Sequence, residues 1–464
     1  MRTLPPPARQ PDRDRQPDRT SGRRQGWVNW GRNVSASPSD LVVARSTADV
    51  EDAVRRAHEA GQRVKALGSG HSFNTIAVTD GVALNVRNLS GIESLVPEPD
   101  GTVLVGLGAG TRLHEVGPAL WSLGLAMRNM GDIDAQTLSG ALSTGTHGTG
   151  SAFTGLTDQI AGMTIVTADG TAVRCDPTTE PELFAAARLG LGALGVVTTI
   201  VLRCVPAFLL EAVEGPGRLD PVLENWEQDR TANDHYEFYW FPHTDQVHTK
   251  RNRRLSVEGD ASPGWRAAAA RFAGRIGKET LENGVFEVIN RVVTRVPRMI
   301  PSVNRLSASV AGSTSHSVGR SYRMFVTPRR VRFREMEYAV PVERIPDLLR
   351  ELSQWFGQTD YRTAFPVEVR CAAADDIWLS TAFGRPTGYV AVHEYYRREA
   401  DDYFRAFEAM ARAMGGRPHW GKVHHRTAED LAPSYPHFED FRRVRNRWDP
   451  DRVFDNSYLR RVLG

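Results

Sequence analysis

A chain of 464 residues with 41% hydrophobic and 24% charged residues is long enough for two domains and has an ordinary globular composition. Its 58 basic and 55 acidic residues nearly cancel, leaving +3, which gives no concentrated basic surplus for a nucleic-acid partner. Three widely spaced cysteines, Cys175, Cys204 and Cys371, make neither a disulfide framework nor a zinc pattern and fit a reducing cytoplasm.

The first 25 residues hold seven Arg and five Pro but no Val, Ile, Phe, Tyr or Trp. They are expected to form a disordered tail, because they offer too little apolar surface to offset ordering entropy. Arg23-Arg24 has the look of a twin-arginine signal, yet Gly26-Trp27-Val28-Asn29-Trp30-Gly31-Arg32 follows where an apolar region belongs, which argues against export. No uninterrupted apolar run reaches the length of a membrane span.

Leu41 to Ala44 reads as a strand, and Ser46 or Thr47 then caps a helix carried by Asp49, Val50, Ala53, Val54 and Ala57 and ended by Gly61. Val64 to Leu67 is a second strand and delivers Gly68-Ser69-Gly70-His71-Ser72-Phe73-Asn74. Val82 to Val86 and Val103 to Leu107 are strand-like, and Arg112 to Leu123 is helical. A second glycine-rich run spans Ser139 to Gly150, and Asp169-Gly170 turns a hairpin between Ile160–Val166 and Thr171–Arg174. Gly190, Gly192 and Gly195 have the G-x-G-x-x-G spacing, but they follow a helical run and precede the strand Val196 to Leu202. A dinucleotide fingerprint needs the reverse order, so NAD is not expected.

Beyond Val205-Pro206 the texture changes. His235 to Phe241, Glu335 to Val340, Pro366 to Arg370 and Tyr389 to Tyr395 read as strands, Gly264 to Val296 as helical, and the polar stretch Ser307 to Ser321 as a loop. Without a βαβ rhythm, this half is expected to be built on an antiparallel sheet with helices.

Two glycine-rich loops that each carry a histidine form a pattern able to cradle phosphate with backbone amides. Glu368 and Arg370 share one face of a strand, where they read equally well as a site pair or a surface ion pair. His393 shares a face with Ala391 and Tyr395. Metal-ligand spacing is not convincing anywhere, and His424 and His425 have no assigned role.

Gly68 to Phe73 together with Ser143-Thr144-Gly145-Thr146-His147-Gly148 resembles the FAD-binding domain of the vanillyl-alcohol oxidase type, as does Gly192-Ala193-Leu194-Gly195 leading into a strand. Glu368-Val369-Arg370, His419-Trp420-Gly421-Lys422 and Phe454-Asp455-Asn456-Ser457-Tyr458-Leu459 are similar to the sugar-1,4-lactone oxidases and their relatives the alditol oxidases. The resemblance runs from Trp27 to Gly464. It implies an α+β, two-domain flavoprotein with an FAD domain over 26–204, a substrate cap over 205–415 and a segment, 416–464, that returns to the flavin.

The same resemblance implies that FAD is bound covalently through His71. Gly68, Ser69, Gly70, Ser72, Phe73, Ser139, Ser143, Thr144, Gly145, Thr146, His147, Gly148, Gly195 and Val196 would shape its site. Arg370 would stabilise charge on the substrate oxygen, Glu368 would hold Arg370 and a substrate hydroxyl, and Lys422 would sit near the flavin N1 and C2 carbonyl. His393 would contact substrate, with a half-buried structural role as the alternative. The implied substrate is a small sugar lactone of the L-gulono-1,4- or D-arabinono-1,4-lactone type, oxidised at a secondary alcohol by hydride transfer to flavin N5. Electrons would pass to O2, giving H2O2, or to another acceptor. Xylitol- or sorbitol-like alditols, or a specialised sugar alcohol, are the alternative substrates. Tyr395 stands where the alditol enzymes carry a smaller hydroxyl residue, which puts alditol specificity in doubt. A non-catalytic binding relic has little reason to keep Glu368, Arg370 and Lys422 together.

Overall fold

The computed structural model describes residues 26–257, 287, 289–310, 313–327 and 331–464, so the predicted N-terminal tail and most of the predicted helix from Gly264 to Val296 lie outside the described residues. The first layer is β1 (Asp40–Val43), α1 (Thr47–Glu59), β2 (Val64–Leu67) and β3 (Val82–Asn85), with the strands parallel in the order β1–β3–β2. The Ser46 hydroxyl accepts the Asp49 N–H at 3.2 Å to start α1, and Gly61, at φ +64°, follows its last turn. Val50, Ala53, Val54 and Ala57 form its buried stripe.

A second layer follows: β4 (Ile92–Pro97), β5 (Val103–Gly108), α2 (Leu113–Ser122), α3 (Leu138–Ser143), β6 (Ile160–Val166), β7 (Ala172–Cys175), α4 (Pro181–Ala187) and β8 (Val196–Pro206). Its strands are antiparallel in the order β7–β6–β8–β5–β4. The glycines from 190 to 195 join α4 to β8, so no helix opens on them, as their context predicts. A Cβ on Gly195 (φ +154°) would lie 2.5 Å from the Val166 carbonyl oxygen, which is why this turn against β6 needs glycine.

The second half contains β9 (Phe208–Arg218), β10 (His235–Trp240), β11 (Gln246–Ser256), α5 (Ile300–Val310), β12 (Ser315–Arg320), β13 (Phe333–Pro341), α6 (Ile345–Gln358), β14 (Val367–Ala372), β15 (Thr387–Tyr395), α7 (Asp401–Ala413) and β16 (Arg417–Pro418). They build one eight-stranded antiparallel sheet in the order β12–β9–β11–β10–β14–β15–β13–β16. One expectation is corrected here. Ser307 to Ser321 is not a loop: it holds the end of α5 and all of β12, which pairs with β9 from Ser315↔Glu214 to Arg320↔Leu209. β12 is an edge strand with His316 and Arg320 exposed, so main-chain pairing rather than an apolar pattern forms it.

Alternation along β10, β13, β14 and β15 gives this sheet two unlike faces. Phe238, Met336, Tyr338, Val369 and Val390 pack on Leu348, Leu352 and Phe407 of α6 and α7. Each such side chain contributes about 1.5–3 kcal/mol on burial. The other face carries Glu237, Glu335, Glu337, Glu368, Arg370 and His393, which are buried as well. No helix among the described residues is long and apolar enough to cross a membrane.

The C-terminal segment, with α8 (Phe438–Trp448) and α9 (Ser457–Leu463), is tied back to the first layer. The Val64 N–H donates to the Val453 carbonyl at 2.8 Å. Asn456 Nδ2 meets the carbonyls of Thr75, Ile76 and Val78 at 2.9–3.1 Å, while its Oδ1 caps α9 by accepting the Leu459 N–H at 2.9 Å. Replacing this buried amide, Asn456→Ala, is expected to lower the unfolding free energy by about 2 kcal/mol through the lost cap and the stranded carbonyls. Urea denaturation of the holoprotein, read as a lower midpoint at unchanged slope, checks it.

Candidate active site

Two clefts meet between the layers. The larger, about 840 Å3, is walled by Gly68, Ser69, Gly70, His71 and Ser72 from the loop after β2, by Ser139, Gly140, Ser143 and Thr144 of α3 and its C-terminus, and by Gly192, Gly195 and Val197. The smaller, about 640 Å3, lies under the charged sheet face and is lined by Glu335, Glu337, Glu368, Arg370, His393, His419 and Lys422, with Asp132, Thr146 and His147 opposite. His71, Ser72, Gln136 and Thr144 line both, so the clefts join at His71.

The larger cleft fits a dinucleotide. A Cβ on Gly68 or on Gly140 would come within 2.7 or 2.8 Å of Thr137 Oγ1, so bare backbone lets the two loops close into one wall. The Ser69 hydroxyl is buried and has no hydrogen-bond partner among the described residues, which leaves it for a ligand. Phe73, Gly145, Gly148 and Val196 line neither cleft. Phe73 packs edge-on against Trp30 and stacks on Phe333, and Val196 belongs to the core under α1. Gly145 (φ +77°) and Gly148, where a Cβ would fall 2.3 Å from the Met130 carbonyl oxygen, shape the loop that presents Thr146 and His147.

In the smaller cleft the reading of Glu368 and Arg370 as a surface pair fails, since both side chains are under a tenth exposed. Arg370 is ion-paired with Glu368, has Nε 3.1 Å from a Glu237 oxygen and Nη2 3.4 Å from Asp132. Burial opposes its charge, but Glu368, Asp132 and Glu237 outweigh that and hold its pKa well above the ordinary value. Its Nη2 is thus held between the Glu368 and Asp132 carboxylates, which fix the guanidinium at the wall of the cleft. Lys250 supports Glu237 from behind at 3.1 Å.

Lys422 is hydrogen-bonded to Glu335 and lies 5.3 Å from the Phe73 ring centre. Burial pulls its pKa down, and the carboxylates of Glu335 and Glu337 more than reverse that. Glu337 holds His147 at 2.9 Å, and the His147 ring stacks 3.5 Å from Tyr389 with its other nitrogen 2.9 Å from the Gly148 carbonyl. Despite burial, His147 holds the Glu337 carboxyl down to about 2. His419 accepts the Gly421 N–H through Nδ1 at 3.0 Å, and burial pushes its pKa down to about 4, which keeps the ring neutral. Among the described residues, His147, Glu337 and His419 are the group whose donor atoms converge as metal ligands would, within 4.8 Å of one another; Glu337 is paired with His147, whereas the His419 ring is turned to the Gly421 N–H.

His393 lines the cleft with Nε2 3.6 Å from Glu335 and Nδ1 3.2 Å from the Pro366 carbonyl oxygen. Tyr395 points instead into the Phe73, Phe333 and Phe365 cluster. His424 and His425 lie outside both linings, held by Tyr458 and Glu408 at 2.9 Å each. The structure thus brings all four predicted catalytic residues into one cleft.

It also adds residues that motif reading overlooked. Glu335 and Glu337 stand at i and i+2 in a strand whose other face is apolar, a pattern visible in Glu335-Met336-Glu337-Tyr338. Asp132 carried no such signal. Lys65, a lysine inside an apolar strand, reaches the carbonyls of Gly192 and Phe454 at 3.0 and 3.1 Å and walls the larger cleft; burial draws its pKa down to about 7.

Residues 38–176 match the model of an FAD-binding domain, and residues 200–462 match that of D-arabinono-1,4-lactone oxidase. The chain belongs to the D-arabinono-1,4-lactone oxidase family. It is similar to the L-gulono-1,4-lactone dehydrogenase of Mycobacterium tuberculosis, 39% identical over 94% of this chain and 99% of that protein. It is also similar to the L-gulonolactone oxidase of Bos taurus, 31% identical over 94% of this chain and 97% of that one. In fold it resembles the crystal structure of cholesterol oxidase from B. sterolicum, with a TM-score of 0.74 at 16% identity over 95% of this chain and 97% of that one. Membership makes this protein an FAD-dependent oxidoreductase with the two-domain α+β fold of such flavoproteins. Gly140→Val is expected to close the larger cleft, and the ratio of absorbance near 450 nm to that at 280 nm should drop about tenfold or more because purified protein no longer retains FAD.

Proposed function

We propose that the protein oxidises the secondary alcohol beside the carbonyl of a sugar 1,4-lactone of the L-gulono or D-arabinono type, with FAD held in the larger cleft and attached through His71. The observation that carries this is convergence: Glu368 and Arg370 from β14, His393 from β15 and Lys422 from the C-terminal segment line one cleft that opens onto the glycine-walled cleft at His71. The names of the relatives supply the substrate class. On this reading 26–204 is the cofactor domain, 205–415 the cap and 416–464 the returning segment. Three buried, unpaired cysteines support a reducing cytoplasmic setting.

FAD, held by the glycine-rich walls of the larger cleft, would supply a two-electron, hydride-accepting centre. Arg370 would donate to the substrate oxygen as the C–H bond breaks and the hydroxyl proton leaves to water, and Glu368 would keep that guanidinium in place. Lys422 offers positive charge toward the cofactor's N1 and C2 carbonyl, where reduction leaves negative charge. His393 directs its ring at a substrate hydroxyl. His147, fixed by Glu337, shapes the loop beside the cofactor. Dioxygen, giving hydrogen peroxide, or another acceptor would take up the two electrons.

Mixing the yellow protein anaerobically with L-gulono-1,4-lactone should bleach the flavin band. Bleaching by xylitol or sorbitol in preference to the lactone would overturn the lactone reading in favour of alditols. Arg370→Ala and Lys422→Ala are each expected to slow single-turnover bleaching by about 100-fold with FAD still bound, and wild-type rates in both would refute their roles. His71 lines both clefts and lies against Trp30, with ring centres 5.6 Å apart, which supports its place as the anchor. Acid precipitation should leave the yellow colour in the pellet of the wild type and release it to the supernatant from His71→Ala.

A further inference from the structure

We infer that Glu335 is a positioning residue for this oxidation, one that keeps the Lys422 ammonium charged and aimed into the cleft. The inference rests on the role proposed for Lys422 and assigns Glu335 a part that no motif gives it.

The main chain of Lys422 is set without the Glu335 side chain. On one side the His419 N–H donates to the Glu337 carbonyl at 3.0 Å and the Val423 N–H to the Glu335 carbonyl at 2.9 Å, so the segment runs on along β13 from β16. On the other, the Phe73 N–H donates to the Gly421 carbonyl at 2.7 Å, and Asn74 Nδ2 meets the carbonyls of Trp420 and Lys422 at 2.7 and 2.8 Å. What those bonds leave undecided is the direction and charge of the ammonium, and the Glu335 carboxylate contacts it directly.

The other carboxylates near Lys422, Glu337 and Asp132, act on its charge from a distance and make their direct contacts elsewhere. Glu337 on the same strand holds His147, and Asp132 from the facing loop lies near Arg370. His419, on the segment itself, is turned to Gly421. On the same sheet face, β14 brings the Glu368 and Arg370 pair, and β15 brings His393, which shares Glu335 at 3.6 Å. A buried ammonium without a contacting carboxylate loses its proton more readily. Removing the charge of Glu335 should therefore leave Lys422 in place but neutral at a lower pH.

Sulfite reads this without any sugar substrate. Its sulfur lone pair forms a bond to flavin N5, and the displaced electron pair comes to rest as negative charge on the N1 and C2 carbonyl side, where a cation stabilises the adduct. The holoenzyme is titrated with sulfite between about pH 6 and pH 9, each variant's Kd being divided by the wild-type value at the same pH. For Glu335→Gln we expect a ratio near one at the acid end that rises about tenfold or more by the alkaline end, while Lys422→Met weakens sulfite at every pH. Glu335→Asp, which keeps the charge, should recover most of the wild-type profile. The double variant should be no worse than Lys422→Met alone, because Glu335 acts through that lysine.

A Glu335→Gln ratio independent of pH, or a loss that adds to that of Lys422→Met, would overturn the inference with Lys422 still in its role. Wild-type sulfite affinity in Lys422→Met would instead remove Lys422 from the site, and the role of Glu335 with it. If Glu335→Gln fails to bind FAD, Glu335→Asp decides: a wild-type pH profile supports the inference, and a uniform loss at every pH overturns it.

Discussion

The site depends on the seating of four residues, His419 to Lys422, in the seam between the two halves of the chain. The loop after β2 grips them with the Phe73 N–H and the Asn74 amide, and β13 grips them from the other side with the carbonyls of Glu335 and Glu337. Trp420, fully buried, adds an indole N–H donated to the Leu379 carbonyl at 2.7 Å. One short segment thus bonds to the loop that carries His71 and to the strand that carries two cleft carboxylates. Its position sets the relation between the clefts.

The sheet above it is built against the usual economy of a protein interior. Its helix-side face is an ordinary apolar core, whereas the cleft-side face buries Glu237, Glu335, Glu337 and Glu368 with Arg370 and Lys250, and the half-buried Lys422 is brought against it by the C-terminal segment. A fold needing only stability would do as well or better with apolar side chains in those places. Here each buried charge has an opposite partner, and the chain terminus is drawn in to complete the set. The arrangement makes sense as preorganised electrostatics for a reaction that develops charge inside the cleft.

Much of this was legible in the residues. The caps of α1, the hairpin turn at Asp169-Gly170 and the context that disqualifies Gly190 to Gly195 as a nucleotide fingerprint depend on local chemistry, and all three stand in the structure. The pairing of Glu368 with Arg370 followed from a side-chain period of two. Glu335 and Glu337 obeyed the same rule, but two glutamates on a strand read as a solvated face until the first domain is laid over them. β12 was missed because an edge strand of serines carries no apolar alternation and exists through its pairing with β9.

By itself the sequence determined the elements that carry a local pattern, the two glycine-rich loops and the types of residue available for chemistry, since these follow from backbone preference and periodicity over a few neighbours. Only the tertiary structure decided that residues as far apart as His71, Asp132, Glu335, Arg370 and Lys422 line one place. The physical reason is that charge on a side chain takes its meaning from its surroundings. The same glutamate is a solvated surface group in water and a strong partner for a cation once water is excluded, and burial here is decided by packing between segments hundreds of residues apart.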